Sequence, residues 1–357
     1  MNCETYSAKE LFSRIEKLNI GSVKLMEVCG THTMSIAKSG LRETLPQNIT
    51  LLSGPGCPVC VTAPEVIDEI LSLARRDGVI IATYGDMIKV PGSRFGESLA
   101  TAKAEGAKVE VVYSPFDALT LAEENPDCEI VFLGVGFETT APGTARAIVE
   151  AKKRNLKNFS VFSMLKKVEP ALRALISEDG FEVSGFLCPG HVATVIGADA
   201  FSFLASEYKL PCVVGGFEPK EILFAIYRLL LQIESGKPAL ENAYPNGATD
   251  KGNKLACAAT DEVFESRDDI WRGLSELSSS GFKIRDGYSC FDAERKFGIN
   301  YKRTSASSPC RCGDVIRGRI SPPECPLFGK ACVPENAVGP CMVSSEGACA
   351  AWYKYSF

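Results

Sequence analysis

The chain has 357 residues, more than one typical domain, so two or three domains are expected. Hydrophobic residues make up 45% and charged residues 23%, which indicates a globular protein with a substantial core. The formal net charge of -5, without a dense run of lysine and arginine, argues against nucleic acid as a partner. No apolar run approaches the ~20 residues that span a bilayer, and the first residues have no signal-peptide pattern. We therefore expect no membrane association and a cytoplasmic location.

The chain begins with a predicted amphipathic helix in residues 1–20, followed by an α/β pattern over residues 22–236. Short apolar runs, typical of strands covered on both faces, occur at 22–28, 49–54, 78–85, 107–113, 129–136, 159–164, 183–188 and 212–217. Helical periods separate them, most clearly at 63–76, 141–154 and 218–236. This alternation predicts an α/β fold with parallel sheets and right-handed crossovers. Eight strands favour two α/β domains, which we place at 21–126 and 127–237.

Two pairs of similar segments support a repeated domain. VCGTHTMSIAKSG (28–40) and LCPGHVATVIGAD (187–199) each run from a strand through Cys-x-x-His into a helix. GFETTAPGTA (136–145) and GFEPKEILFA (216–225) each run from a strand through Gly-Phe-Glu into a helix. The two α/β domains are therefore expected to be similar.

The pattern changes after residue 237. A connector rich in Pro, Gly and Asn leads to DDIWRGLSEL (268–277), which is interpreted as a short helix. From residue 305 onward proline, glycine and cysteine dominate. Such a segment is too loop-rich to build its own core, so something else must stabilise it. Residues 238–357 are assigned to one C-terminal region.

The chain contains fifteen cysteines, which in a reducing compartment favour metal or redox chemistry over structural disulfides. Four in the C-terminal region are spaced Cys312-x12-Cys325-x6-Cys332-x16-Cys349, and Cys310 and Cys341 lie nearby. Thiolates gathered from Pro- and Gly-rich loops suit a cuboidal iron–sulfur cluster. Zinc is the competing metal, although close Cys-x2–4-Cys pairs are missing from this region of the sequence. Scattered buried thiols are the third interpretation.

The N-terminal cysteines lie where α/β sheets bind ligands. Cys29 is predicted between a strand and a helix, with His32 one turn later to activate the thiol or to join it on a metal. Cys57 and Cys60, in GPGCPVC, precede a helix, as in thioredoxin-type redox sites, where the helix dipole lowers one thiol's pKa. Both loops follow neighbouring predicted strands, so these thiols are expected to converge at one sheet edge. A buried structural thiol is the alternative for Cys29.

Five further side chains are weaker candidates. Tyr84 and Asp86 lie in a loop after a predicted strand, and His191 repeats the Cys-x-x-His pattern. Glu138 and Glu218 each stand at a predicted helix start, where the helix dipole explains a carboxylate without a function. Each of the five is more readily explained by structure than by chemistry.

The motifs together resemble one family. CGTH, GPGCPVC, TYGDM with VPGS, GFETTAP, CPGHV, GGFEP and CPLFGKACVPENAVGPCMVSSEGACAAWY closely resemble the HypD family of hydrogenase maturation factors. These motifs are long and specific, and they are spread over almost the whole chain. The resemblance implies two α/β domains around a cleft and a cluster-bearing third region.

The resemblance also implies a function as a scaffold. With a small HypC-type chaperone, such a protein assembles the Fe(CN)2CO unit of [NiFe] hydrogenases and thereby acts indirectly on the hydrogenase large subunit. Iron is expected on Cys29, shared with the chaperone's N-terminal cysteine and supported by His32. Cyanide is expected as a thiocarboxamide from a HypE-type partner, which acts after a HypF-type protein.

Two roles follow from the resemblance for the other cysteines. Cys57 and Cys60 are expected to relay electrons as a redox dithiol, and a [4Fe-4S] cluster is expected on Cys312, Cys325, Cys332 and Cys349. A redox-active assembly scaffold fits better than a conventional turnover enzyme. The alternatives are an iron–sulfur disulfide reductase of the ferredoxin–thioredoxin type, and a zinc-stabilised binding protein.

Overall fold

The computed structural model describes residues 3–94, 96–300 and 309–355. Their strands are β1 (Val23–Glu27), β2 (Ile49–Ser53), β3 (Val79–Thr83), β4 (Lys108–Val111), β5 (Glu129–Gly136), β6 (Phe159–Leu165), β7 (Gly185–Pro189), β8 (Cys212–Gly215), β9 (Leu240–Asn242), β10 (Phe264–Trp271) and β11 (Ser275–Ile284). Their helices are α1 (Ala8–Ile15), α2 (Gly30–Ser39), α3 (Leu41–Thr44), α4 (Pro64–Ala74), α5 (Leu99–Ala104), α6 (Pro115–Glu124), α7 (Ala141–Lys153), α8 (Val168–Ile176), α9 (Gly190–Ile196), α10 (Ser202–Ser206), α11 (Pro219–Ser235), α12 (Lys254–Val263), α13 (Ala293–Phe297), α14 (Cys312–Ile316) and α15 (Ala348–Tyr355).

Two parallel sheets form the body of the protein, which confirms the predicted α/β class. The first sheet has the order β2-β1-β7-β8-β9 and the second the order β4-β3-β5-β6. Each of the eight predicted apolar runs forms one of the strands β1 to β8. Every residue of β3, β6, β7 and β8 is buried, which explains why these strands are apolar along their whole length.

The sheets do not follow the predicted segments 21–126 and 127–237. The first sheet pairs β1 with β7, and the second pairs β3 with β5, so each sheet takes strands from both segments. The chain forms two of the five strands of the first sheet, β1 and β2, then all four strands of the second, and then returns to the first with β7, β8 and β9. Strand pairing of this kind depends on contacts distant in sequence, which similarity between short motifs does not reveal.

The predicted N-terminal helix is present as α1. Ser7 and Glu10 form a capping box that satisfies backbone N–H groups at its start. Leu11 and Ile15 are buried on its inner face in the same apolar cluster as Leu223 of α11. The amphipathic pattern therefore fixes both the helix and the face that it buries.

The segment 268–277 is not the predicted helix; it forms the end of β10, a turn and the start of β11 in an antiparallel hairpin. Gly273 lies in the turn at φ +86°, a conformation that favours glycine. The Trp271 side chain is buried and stacks on Phe137, with ring centroids 6.0 Å apart. Burial of Trp271 and cross-strand pairing outweigh the helical period in this segment.

Only the last described part of the predicted C-terminal region, residues 309–355, is loop-rich, with short helices α14 and α15. The part before it contains β9 of the first sheet, helices α12 and α13, and the β10–β11 hairpin. Helix α15 packs on α2, and the Arg42 guanidinium lies 5.0 Å from the centre of the Trp352 ring. These contacts hold the end of the chain against the first sheet. Within the described ranges, each helix is too short or too polar to cross a membrane.

Candidate functional site

The carboxyl ends of both parallel sheets face one cleft of about 610 Å³, the position where open α/β folds bind ligands. Its walls come from the loops that follow β1, β2, β3, β5 and β7 and from the C-terminal region. Four predicted site residues line it, namely Cys29, Tyr84, Asp86 and His191. The C-terminal region adds Ser344 and Glu346, which the sequence did not single out.

Cys29 is the N-cap of α2 and is 8% exposed on the cleft wall. Burial and the nearby Glu346 carboxylate raise the pKa of its thiol to about 12, while the backbone N–H groups of His32 and Thr31 act in the opposite direction. The thiol is therefore protonated at neutral pH until a cation, or a further hydrogen-bond donor, stabilises the thiolate.

Glu27 holds the backbone at Cys29. One carboxylate oxygen of Glu27 accepts a hydrogen bond from the Cys29 N–H at 3.2 Å, and the other accepts one from the Thr33 hydroxyl. Burial raises the pKa of Glu27 to about 7. This carboxylate links the end of β1 to the first turn of α2.

Glu346 brings the C-terminal region against the CGTH loop. The Thr31 hydroxyl donates to a Glu346 carboxylate oxygen at 2.8 Å, and burial raises the pKa of Glu346. A Cβ atom at Gly30 would lie 2.4 Å from the Glu346 Cβ, so only glycine fits between Cys29 and this contact. The glycine of CGTH thus permits the two segments to meet beside the thiol.

The two histidines of the chain flank one phenylalanine ring. His32 is fully buried, its Nε2 lies 2.8 Å from the Gly216 carbonyl oxygen, and its Nδ1 has no hydrogen-bond partner among the described residues. The His32 and His191 rings stack on Phe217 with centroid distances of 4.8 and 3.7 Å. Burial lowers the pKa of His32 to about 4, so this imidazole is neutral. The predicted support of Cys29 by His32 remains a prediction.

The loop that carries Cys57 and Cys60 packs directly on the CGTH loop, as expected for loops that follow the paired strands β1 and β2. The Gly30 N–H donates to the Gly56 carbonyl at 3.0 Å, and a Cβ at Gly56 would lie 2.3 Å from the Cys29 nitrogen. The glycines of GPGCPVC therefore permit this close approach.

Both thiols of this loop are buried, with Cys57 5% and Cys60 1% exposed. The Cys60 N–H donates to the Cys57 sulfur at 3.2 Å. Burial raises the pKa of the Cys60 thiol well above the ordinary value, so Cys60 is not the thiol whose pKa the α4 dipole lowers. Helix α4 begins at Pro64, four positions beyond this cysteine, so the dipole acts weakly there.

All six C-terminal cysteines line one small cavity of about 20 Å³, together with Leu327, Phe328 and Met342. Phe328 and Met342 are buried, and the donor set is entirely sulfur. A Cβ at Gly339 would lie 2.2 Å from the Cys310 sulfur, so glycine leaves room for that thiol. The described His, Cys, Asp and Glu side chains include no group of three arranged to hold a single metal ion.

Neighbouring thiols link this cavity to Cys60. Cys310 and Cys312, Cys312 and Cys341, and Cys60 and Cys341 each lie close enough to shift one another's pKa. The donated hydrogen bonds from Cys312 and Cys60 lower the pKa of Cys341. Burial raises the pKa of Cys349.

The remaining candidates have mainly structural contacts. Tyr84 packs edge-on against Phe132, with centroids 5.6 Å apart. Glu138 is buried and accepts a hydrogen bond from the Val168 N–H at 3.0 Å. Glu218 is the exposed N-cap of α11, as the helix-start interpretation expects. The two glutamates of the Gly-Phe-Glu motifs therefore occupy different environments.

Sequence reasoning missed Glu27, Ser344 and Glu346. Glu27 ends an apolar strand, and a carboxylate inside a run such as VKLME is a usable signal, because burial of an acid requires partners. Ser344 and Glu346 lie in the SSEGAC segment between two cysteines, where nothing local in the sequence indicates contact with the CGTH loop.

Comparison with known proteins gives consistent matches over the chain. The HypD family model, described as "Hydrogenase formation hypA family", matches residues 6–356. Hydrogenase maturation factor HypD of Rhodobacter capsulatus is 45% identical, over 98% of this chain and 95% of its own length. The proteins of the same name from Azotobacter vinelandii and Escherichia coli (strain K12) are each 45% identical, over 93% of this chain and 89% of their own lengths.

Proposed function

Because the chain belongs to the HypD family of hydrogenase maturation factors, we propose that it is the scaffold on which the Fe(CN)2CO unit of [NiFe] hydrogenases is assembled. A small HypC-type chaperone would share the iron, and a HypE-type partner, supplied by a HypF-type protein, would deliver cyanide. The observation that supports this role is the series of thiols that connects the cleft side of the protein to the six-cysteine cavity.

In this proposal iron is the cargo and Cys29 is its protein ligand. The thiol lies on the wall of a cleft with room for ligands, and a soft thiolate suits iron that carries cyanide and carbonyl. Metal binding would offset the raised pKa of Cys29, because a bound cation favours the thiolate. Glu27 and the start of α2 would fix its position.

The donor set of the C-terminal cavity fits a [4Fe-4S] cluster, which would supply one-electron transfer when bound. Six thiols surround the cavity without three of them converging on one ion, an arrangement that suits several irons better than one zinc. Cys325, Cys332 and Cys349 would be three ligands. Cys312 is the predicted fourth ligand, and Cys310 lines the same cavity and competes with it for this place.

Cys57 and Cys60 would relay reducing equivalents between this cavity and the cleft. Cys60 contacts Cys341, whereas Cys57 contacts Ser344 of the cleft wall, so the dithiol touches both sides. Both thiols are buried, and a disulfide of another protein could reach them only after movement of the loop. Their burial therefore favours the scaffold over a ferredoxin–thioredoxin-type reductase.

The first experiment is anaerobic co-expression with the HypC-type partner, followed by iron and sulfide analysis and infrared spectroscopy of cyanide and carbonyl stretches. Wild type is expected to hold about four irons with sulfide, plus an additional iron with infrared bands. Cys29→Ala should keep the cluster iron and lose the bands, and Cys290→Ala, which changes an exposed cysteine, is the matched control. Bands that persist without Cys29 would contradict the assignment.

A second experiment tests the cluster ligands. Cys325→Ser should lose the cluster iron and loosen residues 309–355, as measured by iron content and limited proteolysis. Comparison of Cys310→Ser with Cys312→Ser then identifies the fourth ligand, because only the true ligand should cause comparable loss of iron. Stoichiometric iron and sulfide in Cys325→Ser would exclude this thiol as a ligand.

A further inference from the structure

A directed series of hydrogen bonds leads from the buried dithiol to the cleft. The Cys57 thiol donates to the Ser344 hydroxyl at 3.4 Å, and the Ser344 hydroxyl donates to a carboxylate oxygen of Asp86 at 3.0 Å. Cys57 and Ser344 are 5% and 1% exposed, whereas Ser344 and Asp86 also line the cleft. Water therefore has little direct access to the thiol, while its hydrogen-bonded partners reach the cleft.

The Asp86 carboxylate, at the end of this series, is arranged to accept hydrogen bonds. The same Asp86 oxygen that accepts from Ser344 also accepts from the Ser345 N–H at 3.2 Å and from the Ser345 hydroxyl at 3.1 Å. Three donors on one oxygen make this carboxylate the acceptor at the end of the series. The Ser344 hydroxyl can in turn accept one proton while it donates another.

We propose that Ser344 and Asp86 form the proton exit of the dithiol and that Cys57 is the thiol that gives up its proton along this path. The inference rests on the proposed redox role of Cys57 and Cys60. In this step the Cys57 S–H bond breaks as its proton moves to Ser344, and the Ser344 O–H bond breaks as its proton moves to Asp86. The products are a thiolate, an intact serine and a protonated carboxyl, and no electron moves.

The surroundings of Cys57 distinguish it from Cys60. The Cys60 N–H donates to the Cys57 sulfur at 3.2 Å and would stabilise a thiolate there. Cys60 instead lies beside Cys341, one of the thiols that line the six-cysteine cavity. The two thiols therefore have different roles: Cys57 is connected to a proton acceptor, and Cys60 lies next to other sulfurs.

Other ionisable groups surround the exit. Glu346 and Cys29 share the cleft wall with Asp86, and the Asp86 charge contributes to the raised pKa of Glu346. The Glu346 N–H donates to the Ser344 hydroxyl oxygen at 3.3 Å, which orients the hydroxyl proton toward Asp86. None of the described lysine or arginine side chains is recorded in an ion pair with Asp86.

The test uses the full cluster-loaded chain, reduced and held anaerobically, with 2-hydroxyethyl disulfide as the probe. The Cys57 thiolate attacks one sulfur of the reagent and releases one mercaptoethanol. Cys60 then attacks the mixed disulfide and releases the second, so the dithiol is oxidised and the reagent is reduced to two thiols. Mass spectrometry of the peptide that contains both cysteines gives the rate.

Ser344→Ala and Asp86→Asn are each expected to slow the formation of this disulfide by at least about tenfold, as loss of a proton-transfer group does. Ser344→Thr keeps the hydroxyl and should restore most of the rate. Ser345→Ala removes one donor to Asp86 but leaves the path unbroken, so its rate should stay within about twofold of wild type. Iron content and thermal unfolding of each variant confirm that the fold is kept.

Equal rates of disulfide formation in wild type, Ser344→Ala and Asp86→Asn would overturn the proton exit. A rate in Ser344→Thr as low as that in Ser344→Ala would also overturn it. If Ser344→Ala fails to fold, the rate of Asp86→Asn tests the proposal, and the iron content of that variant shows whether its fold is kept. The readout is independent of cargo assembly. Loss of the cyanide and carbonyl bands in all preparations, with intact exchange kinetics, would remove the scaffold role but not the proton exit.

Discussion

The two Cys-x-x-His motifs place the same residue types in opposite environments. In CGTH, the Cys29 thiol lies on the cleft wall and His32 is fully buried. In CPGH, Cys188 is fully buried beside Cys212, and His191 lines the cleft. Equal spacing in the sequence therefore does not give equal chemistry: one motif presents a thiol to the cleft and the other an imidazole.

The reason is a shift of one residue relative to the helix. Helix α2 begins one position after Cys29, whereas α9 begins two positions after Cys188. A one-residue shift turns a helical side chain by about 100° and moves a strand side chain to the other face of the sheet. Cys188 thus belongs to β7, while Cys29 lies beyond β1 as the cap of α2.

The largest expected difference between the motifs concerns the cargo iron. Cys29→Ala should abolish the cyanide and carbonyl bands, because it removes the only thiol of the two that lines the cleft. Cys188→Ala should retain the bands and lose about 1 kcal/mol of stability through its small buried cavity. Infrared spectra and urea unfolding of both variants measure this. Loss of the cyanide and carbonyl bands in both Cys29→Ala and Cys188→Ala would contradict the expected difference between the two motifs.

The next difference concerns acid stability. Burial lowers the pKa of His32 to about 4, below the ordinary value near 6.5. The unfolded chain therefore binds a proton that the folded chain rejects as pH falls from about 6.5 to 4. Neutral His32 therefore contributes its full stabilisation above about pH 6.5. This contribution decreases by about 3 kcal/mol as the pH falls to about 4.

His32→Gln should remove this dependence, whereas His191→Gln, at the exposed site, should change it little. The quantity to measure is the difference in unfolding free energy between wild type and variant across the window. Burial raises the pKa values of Glu27 and Glu138 to about 7, so acidification strengthens their contribution to the stability of the folded protein. Wild type and variant both keep these two residues, so their contribution cancels in the difference. Parallel curves for wild type and His32→Gln would show that His32 is not the titrating group.

The smallest difference concerns the glycines. A Cβ at Gly30 would meet the Glu346 Cβ at 2.4 Å, and a Cβ at Gly190 would meet the Gly215 carbonyl oxygen at 2.4 Å. Alanine at either position should cost about 2 kcal/mol. The neighbour of Gly30 is the Glu346 side chain, which a mutation can remove, whereas the neighbour of Gly190 is a backbone oxygen. Glu346→Gly should therefore recover about 1 kcal/mol of the stability lost in Gly30→Ala. A double-mutant cycle by urea unfolding tests this coupling, and strict additivity would argue against the contact.

Local patterns in the sequence predicted a large part of the fold. The eight apolar runs, the amphipathic helix α1 and the loop-rich C-terminal region are confirmed because each depends on neighbours a few residues apart. The helix predicted at 268–277 is wrong because burial of Trp271 and pairing with β11 override the local period. Strands β9 to β11 were missed for the same reason, since their polar, interrupted sequences acquire structure by pairing.

The candidate site was predicted in part. Convergence of the CGTH and GPGCPVC loops followed from adjacent parallel strands, and the structure places them in contact. The proximity of Ser344 and Glu346 to these loops could not be predicted, because about 300 residues separate them in the chain. The order of the thiols from Cys60 to Cys310 likewise depends on how the C-terminal region folds onto the sheets.

The sequence by itself determined the secondary structure of the α/β body, the cysteine inventory and the family, because these reside in local periodicity and in the identities of residues. Tertiary structure alone decided which strands share a sheet, which member of each Cys-x-x-His pair faces the cleft, and which polar groups serve the buried dithiol. Those outcomes depend on side-chain direction and on long-range packing. A shift of one residue, or one distant segment, changes them without altering the motif.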